Sequence, residues 1–171
     1  MSYVEEKRRE LLKSFEGVSG ERLCRRADPS GWSVAEILEH LRIVESGIAR
    51  IITKRVAKAR EEGLRAETST SSVMPSFEPH AARLESGKLQ APTLIQPKSD
   101  VDINEALEGL ESSREALRAA VVSADGLAIG DIKHTHLVLG ELDLYQWLIF
   151  VGHHEVRHRK QIERTLKSLP Q

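Results

Sequence analysis

Two histidines four residues apart, His154 and His158, lie near the C-terminus within Val151-Gly-His-His-Glu-Val-Arg-His-Arg-Lys-Gln-Ile162. The apolar residues around them, Leu144, Trp147, Leu148, Val151, Ile162 and Leu166, recur at helical spacing. At 3.6 residues per turn, both imidazoles fall in that apolar stripe, one turn apart. Such a pair can clamp one metal ion from a single helix face. Polar rings on a face meant for Leu or Ile need partners, which favours ligands over plain packing. A catalytic metal commonly takes three protein ligands and keeps one position open. His40 is the candidate third ligand, since it is the only other histidine on a predicted long helix and it borders that helix's apolar stripe. A structural histidine satisfied by one hydrogen bond is the competing reading for His40. Imidazole nitrogens suit zinc, nickel, copper or iron, and three of them do not choose.

The remaining histidines fall elsewhere. His153 points about 100° away from His154, toward a flank or the surface. His134 and His136 sit in a Gly-containing loop before the last helix and are candidates for the mouth of a site. Gln161, three residues after His158, can orient that ring or a bound water. Glu36, one turn before His40, can do likewise, although a capping role already accounts for it. Cys24 is the single cysteine and has no nucleophile motif around it.

Four main helices are expected to position these groups. The first covers about Tyr3 to Phe15, and Gly17 and Gly20 end it. A loop with Cys24 and Pro29 follows. Ser33 with Glu36 reads as a capping box, with Trp32 stapled onto Ile37, and the second helix runs to about Arg60. Its stripe is Ile37, Leu38, Leu41, Val44, Ile48, Ile51 and Ile52. From Glu61 to about Val101 periodicity fails amid Ser, Thr and Pro. One short helix fits there, with Pro79 in its first turn and Gly87 just past its end. So long a connection suits a crossover between helices that are not antiparallel neighbours. Asp102 with Glu105 opens the third helix, which faces Leu107, Leu110, Leu117 and Val121 inward and stops at Asp125-Gly126. Asp143 with Gln146 opens the fourth, ending near Leu169-Pro170. No strand of convincing alternation is evident. The fold class is therefore all-α, a four-helix bundle with a long crossover between helices 2 and 3.

Composition narrows the partners. The chain has 171 residues, a net charge of −1 and a pI near 6.7. That balance offers no footprint for nucleic acid or anionic lipid. The cations Arg50, Lys54, Arg55, Lys58 and Arg60 suit the C-terminal end of a helix dipole. One cysteine, no apolar leader and no membrane-length apolar run fit a cytoplasmic protein. Ile149 and Phe150, beside the core stripe, are read as an exposed apolar patch that could join two copies.

Three segments resemble the DinB/YfiT-like superfamily, and its DinB-like subgroup in particular. They are Trp32-Ser-Val-Ala-Glu36-Ile-Leu-Glu-His40-Leu41, then His136-Leu-Val-Leu-Gly140 leading into Leu144-Tyr-Gln-Trp-Leu148, then His154-Glu-Val-Arg-His158-Arg-Lys-Gln161-Ile162. The family often has Pro after the loop histidine, where this chain has Leu137. The resemblance implies one DinB-like domain over residues 1–171. It implies a divalent ion, zinc or nickel foremost, held by His40, His154 and His158 plus water. It further implies a homodimer and a metal-dependent enzyme acting on a small molecule. Transfer of a low-molecular-weight thiol to an electrophile is the leading reaction and hydrolysis the next. The alternative is a non-enzymatic metal-binding or stress-response bundle protein.

Overall fold

The structure, a computed structural model, describes residues 1–85 and 91–170. Six α-helices dominate: α1 (Ser2–Lys13), α2 (Gly20–Cys24), α3 (Val34–Glu61), α4 (Glu78–Glu85), α5 (Ile103–Ser123) and α6 (Leu144–Ser168). The four long ones, α1, α3, α5 and α6, form the bundle. The helix starts follow the expected chemistry. Ser33 and Glu36 form a reciprocal capping box, as do Asp143 and Gln146, each satisfying two backbone N–H groups left over by a helix start. Asp102 caps α5 through the N–H groups of Asn104 and Glu105. Gly17 takes φ +76° between α1 and α2, a backbone state that glycine adopts without strain. The segment read as a loop around Cys24 folds instead as the short helix α2, capped by the Ser19 side chain.

Helices α3 and α5 run parallel. Their paired residues advance together: Glu45 bonds Ser113 and Arg114, and Arg60 bonds the Ser123 carbonyl. Parallel neighbours need a long return, which the segment between them provides. Within it, α4 starts at Glu78, so Pro79 does lie in a first turn. Gly87, expected just past the helix end, lies outside the described residues.

The segment before α6, expected as a loop, is a short hairpin instead. Lys133–His136 (β1) and Gly140–Asp143 (β2) pair antiparallel, with His136 opposite Gly140. Each strand has only four residues, too short for alternation to reveal. Gly140 sits at φ +83°, as the tight reversal requires. Ile149 and Phe150, expected as an exposed patch, are buried instead. Each is only 4% exposed and belongs to the core, so they cannot supply a patch between copies. Among the described residues no helix is long and apolar enough to cross a membrane.

The core is two apolar clusters, one holding Val4, Ile48, Leu117 and Val151, the other Leu11, Leu41, Leu110 and Ile162. Between them each long helix contributes one charged residue: Arg8, Glu45, Arg114 and Glu155. All four are buried. Arg8 bonds Glu155 at 2.7 Å and Glu45 at 2.8 Å, and Arg114 bonds Glu45 at 2.7 Å and Glu155 at 2.8 Å. Two cations and two anions thus close a neutral ring across the bundle. Ser113 donates to Glu45 at 2.6 Å, while Arg8 and Arg114 also donate to the carbonyls of Leu110 and Val4.

Candidate metal centre

One side of that charged layer carries the histidines. His40 lies two turns into α3, because its capping box fixes the helix start at Val34. His154 and His158 stand one turn apart on α6. The three rings converge: Nε2 of His154 is 3.3 Å from Nε2 of His40 and 3.1 Å from Nε2 of His158. His40 and His158 are 2% and 6% exposed. So His40, read from sequence as bordering the stripe, is in the interior. Trp32 lies against its ring at 5.0 Å, and Phe150 stacks on His154 at 5.1 Å.

The outer nitrogens decide where the protons are. Nδ1 of His40 is 2.7 Å from the Ile95 carbonyl, which can only accept. Nδ1 of His158 is 2.9 Å from Oε1 of Gln161. Both Nδ1 atoms therefore donate, and both Nε2 atoms present lone pairs to the third ring. His154 has at most one Nε2 proton to offer two lone pairs. A cation shared by the three nitrogens relieves that conflict. Tetrahedral bonds of 2.0–2.1 Å to one zinc place nitrogens about 3.3 Å apart, close to the spacing here. These three residues could hold a metal ion, and their donor set fits one.

Burial keeps the rings neutral, the form a metal requires. It lowers His40 below its ordinary value and His158 to about 3. His154 is lowered well below the ordinary value, by burial first and then by the neighbouring charges of His158 and His40.

The other candidates are placed differently. Gln161 meets His158, as its spacing suggests. Glu36 does not serve His40: its oxygens accept from the Ser33 N–H at 2.8 Å and from the Arg26 guanidinium. His136 packs 4.7 Å from Phe150, and its Nδ1 accepts from the N–H groups of Val138 and Leu139, each at 3.1 Å. Its proton is thus on Nε2, and burial lowers its pKa to about 4. His134 accepts from Arg55 at 3.0 Å and stands outside the cluster. His153 contacts Tyr3 and Phe77 rather than the three rings. Cys24 is exposed.

Sequence reasoning missed the charged ring beside the site. The signal was present as a charge standing in an apolar stripe: Arg8 between Val4 and Leu11, Glu45 between Leu41 and Ile48, Arg114 between Leu110 and Leu117, Glu155 between Val151 and Ile162.

A profile of the DinB superfamily matches residues 3–162. The chain belongs to the DinB superfamily. The chain also aligns with the uncharacterized protein YuaE of Bacillus subtilis (strain 168). The two are 28% identical over 172 residues, spanning 99% of this chain and 98% of YuaE. TT2238, a four-helix bundle protein with a crystal structure, matches with a TM-score of 0.62. That match covers 95% of this chain and 94% of TT2238 at 18% identity, and it speaks for the fold.

Proposed function

We propose that this DinB-superfamily chain is a metal-dependent enzyme whose divalent ion, zinc or nickel, is held by His40, His154 and His158. One observation carries the reading: three neutral imidazoles converge with two lone pairs aimed at the third ring. An ion bound there would supply Lewis acidity, lowering the pKa of a thiol or a water at its open position. Transfer of a low-molecular-weight thiol to an electrophilic small molecule is the reaction we assign first. The family resemblance supports it. The chain's own part is to fix three nitrogens, to keep them unprotonated by burial and to surround them with Trp32 and Phe150. The test is an assay of untagged, zinc- or nickel-loaded protein against a panel of thiols and electrophiles. Turnover that persists after complete metal removal would sink the proposal.

A second reading, a non-enzymatic metal-binding bundle, draws on the burial of His40 and His158. Buried ligands suit an ion that serves folding. Cobalt substitution separates the two. A visible spectrum that shifts on adding a small thiol favours an exchangeable position, and an inert spectrum favours the structural ion.

A further inference from the structure

Of the three outer imidazole nitrogens, two have direct acceptors, the Ile95 carbonyl and Gln161. Among the described residues, Nδ1 of His154 has none. A histidine that binds metal nearly always donates its other N–H, because that bond fixes the tautomer and the ring's orientation. One helical position away stands the complementary defect. Oε2 of Glu155 is buried and has no hydrogen-bond partner among the described residues, although Oε1 is held by both Arg8 and Arg114. The whole residue is 1% exposed. Between α3 and α6 lies a cavity of about 10 Å³, lined by Val44, Glu45, Ile48, Val151, His154 and Glu155. That is the space one water needs. The oxygens of Glu45, the other carboxylate on this wall, are already engaged by Arg8, Arg114 and Ser113.

We infer that one ordered water fills this cavity, accepting from Nδ1–H of His154 and donating to Oε2 of Glu155. Glu155 is then a positioning residue. It ties the third imidazole to the ring of Arg8, Glu45 and Arg114, so rigid charges on all four long helices hold that ligand in place. The water satisfies the buried Oε2 of Glu155 and the second nitrogen of the half-buried His154 ring at once, and a bridging water is nearly as favourable as a direct bond. The inference rests on the metal reading above.

Crystals of metal-free and zinc-loaded protein, at a resolution that shows ordered water, test the bridge directly. Density within hydrogen-bonding distance of both atoms is expected in each. An empty cavity, or Nδ1 of His154 bonded to a protein acceptor, overturns the proposal. Zinc affinity by chelator competition tests the role. Val151→Ile adds a methylene that displaces the water, and affinity should fall by about 10–100-fold. Val151→Ala leaves the water its space and should bind within a few-fold of the parent. Equal losses in both variants would mean that packing alone matters and would end the positioning role. Should Val151→Ile fail to fold, Val44→Ile fills the same space from α3. A parent chain that binds no zinc would overturn the metal reading itself. A parent that binds tightly while Val151→Ile does equally well would overturn only the water bridge.

Discussion

Nη2 of Arg114 on α5 donates to Oε1 of Glu155 on α6 at 2.8 Å, with neither side chain more than 2% exposed. Removing one partner of such a pair leaves the other charge buried and uncompensated, typically costing 3–5 kcal/mol. Arg114→Met should therefore destabilise the fold by about that amount, since it orphans Glu45 as well. Arg118, whose pairs with Glu5 and Glu115 are partly exposed, supplies the contrast. Arg118→Met should shift stability by less than about 1 kcal/mol. Urea unfolding of both variants measures the difference, and similar losses would mean that the buried ring has no special standing.

Metal addition should raise the melting temperature. An ion that binds only the folded state at 100 times its dissociation constant adds about 2.7 kcal/mol. For a domain of this size that is about 5–10 °C. His40→Ala, His154→Ala and His158→Ala should each remove most of the rise, while His153→Ala and His134→Ala keep it. Gln161→Leu should retain the site but weaken it by about 10–100-fold. Thermal melts of each variant with and without zinc decide the matter; a rise that survives in His154→Ala would place the ion elsewhere.

Two glycines look alike in sequence and differ in their surroundings. A Cβ at Gly152 would meet the Tyr3 ring at 2.4 Å, and one at Gly109 would meet Cδ of Arg42 at the same distance. The tyrosine is wedged between α1 and α6, whereas an arginine side chain can swing away. Gly152→Ala should thus cost about 1–3 kcal/mol from overpacking. Gly109→Ala should be neutral or stabilising, because alanine favours a helix by up to about 1 kcal/mol. Denaturant midpoints measure both. Recovery of Gly152→Ala by a further Tyr3→Ala would identify the ring as the obstacle.

Acid should destabilise the metal-free protein. Burial lowers the pKa values of His40, His154, His158 and His136, so the unfolded chain takes up protons near pH 6.5 while the folded chain resists. Their contribution is complete above about 6.5 and is lost as pH falls toward about 4 for His136 and about 3 for His158. Glu155 opposes this. Burial raises it to about 7 against the pull of Arg8 and Arg114, so between 4.5 and 7 its protonation favours the folded state on the acid side. Four imidazoles outweigh one carboxyl, and the melting temperature at pH 5 should lie below that at pH 7.5. A higher value at pH 5 would mean that the rings are not held neutral.

Much of this arrangement was legible in the chain. Capping residues Ser33, Asp102 and Asp143 marked three helix starts, because an N-cap is a local contest for a few N–H groups. The phase of α6 placed His154 and His158 together for the same local reason. The hairpin was not legible, since four-residue strands leave periodicity nothing to show. Nor was the burial of Ile149 and Phe150: they lie off the main stripe, and the hairpin packs on that flank, with His136 4.7 Å from the Phe150 ring. Arg8, Glu45, Arg114 and Glu155 each interrupt an apolar stripe in the sequence, but which charge meets which is set only when tertiary packing brings opposite signs into one layer.

His40 and His154 are separated by 114 positions in the chain. Closing a loop of that length is entropically unfavourable, and packing of the four helices, not the ion, must bring its ends together. An ion can recognise three converging nitrogens only after the bundle has largely formed. The influence of an ion bound there would then be kinetic and one-sided: the rate of folding would stay as it was, and the ion would act as a latch that slows the bundle's opening.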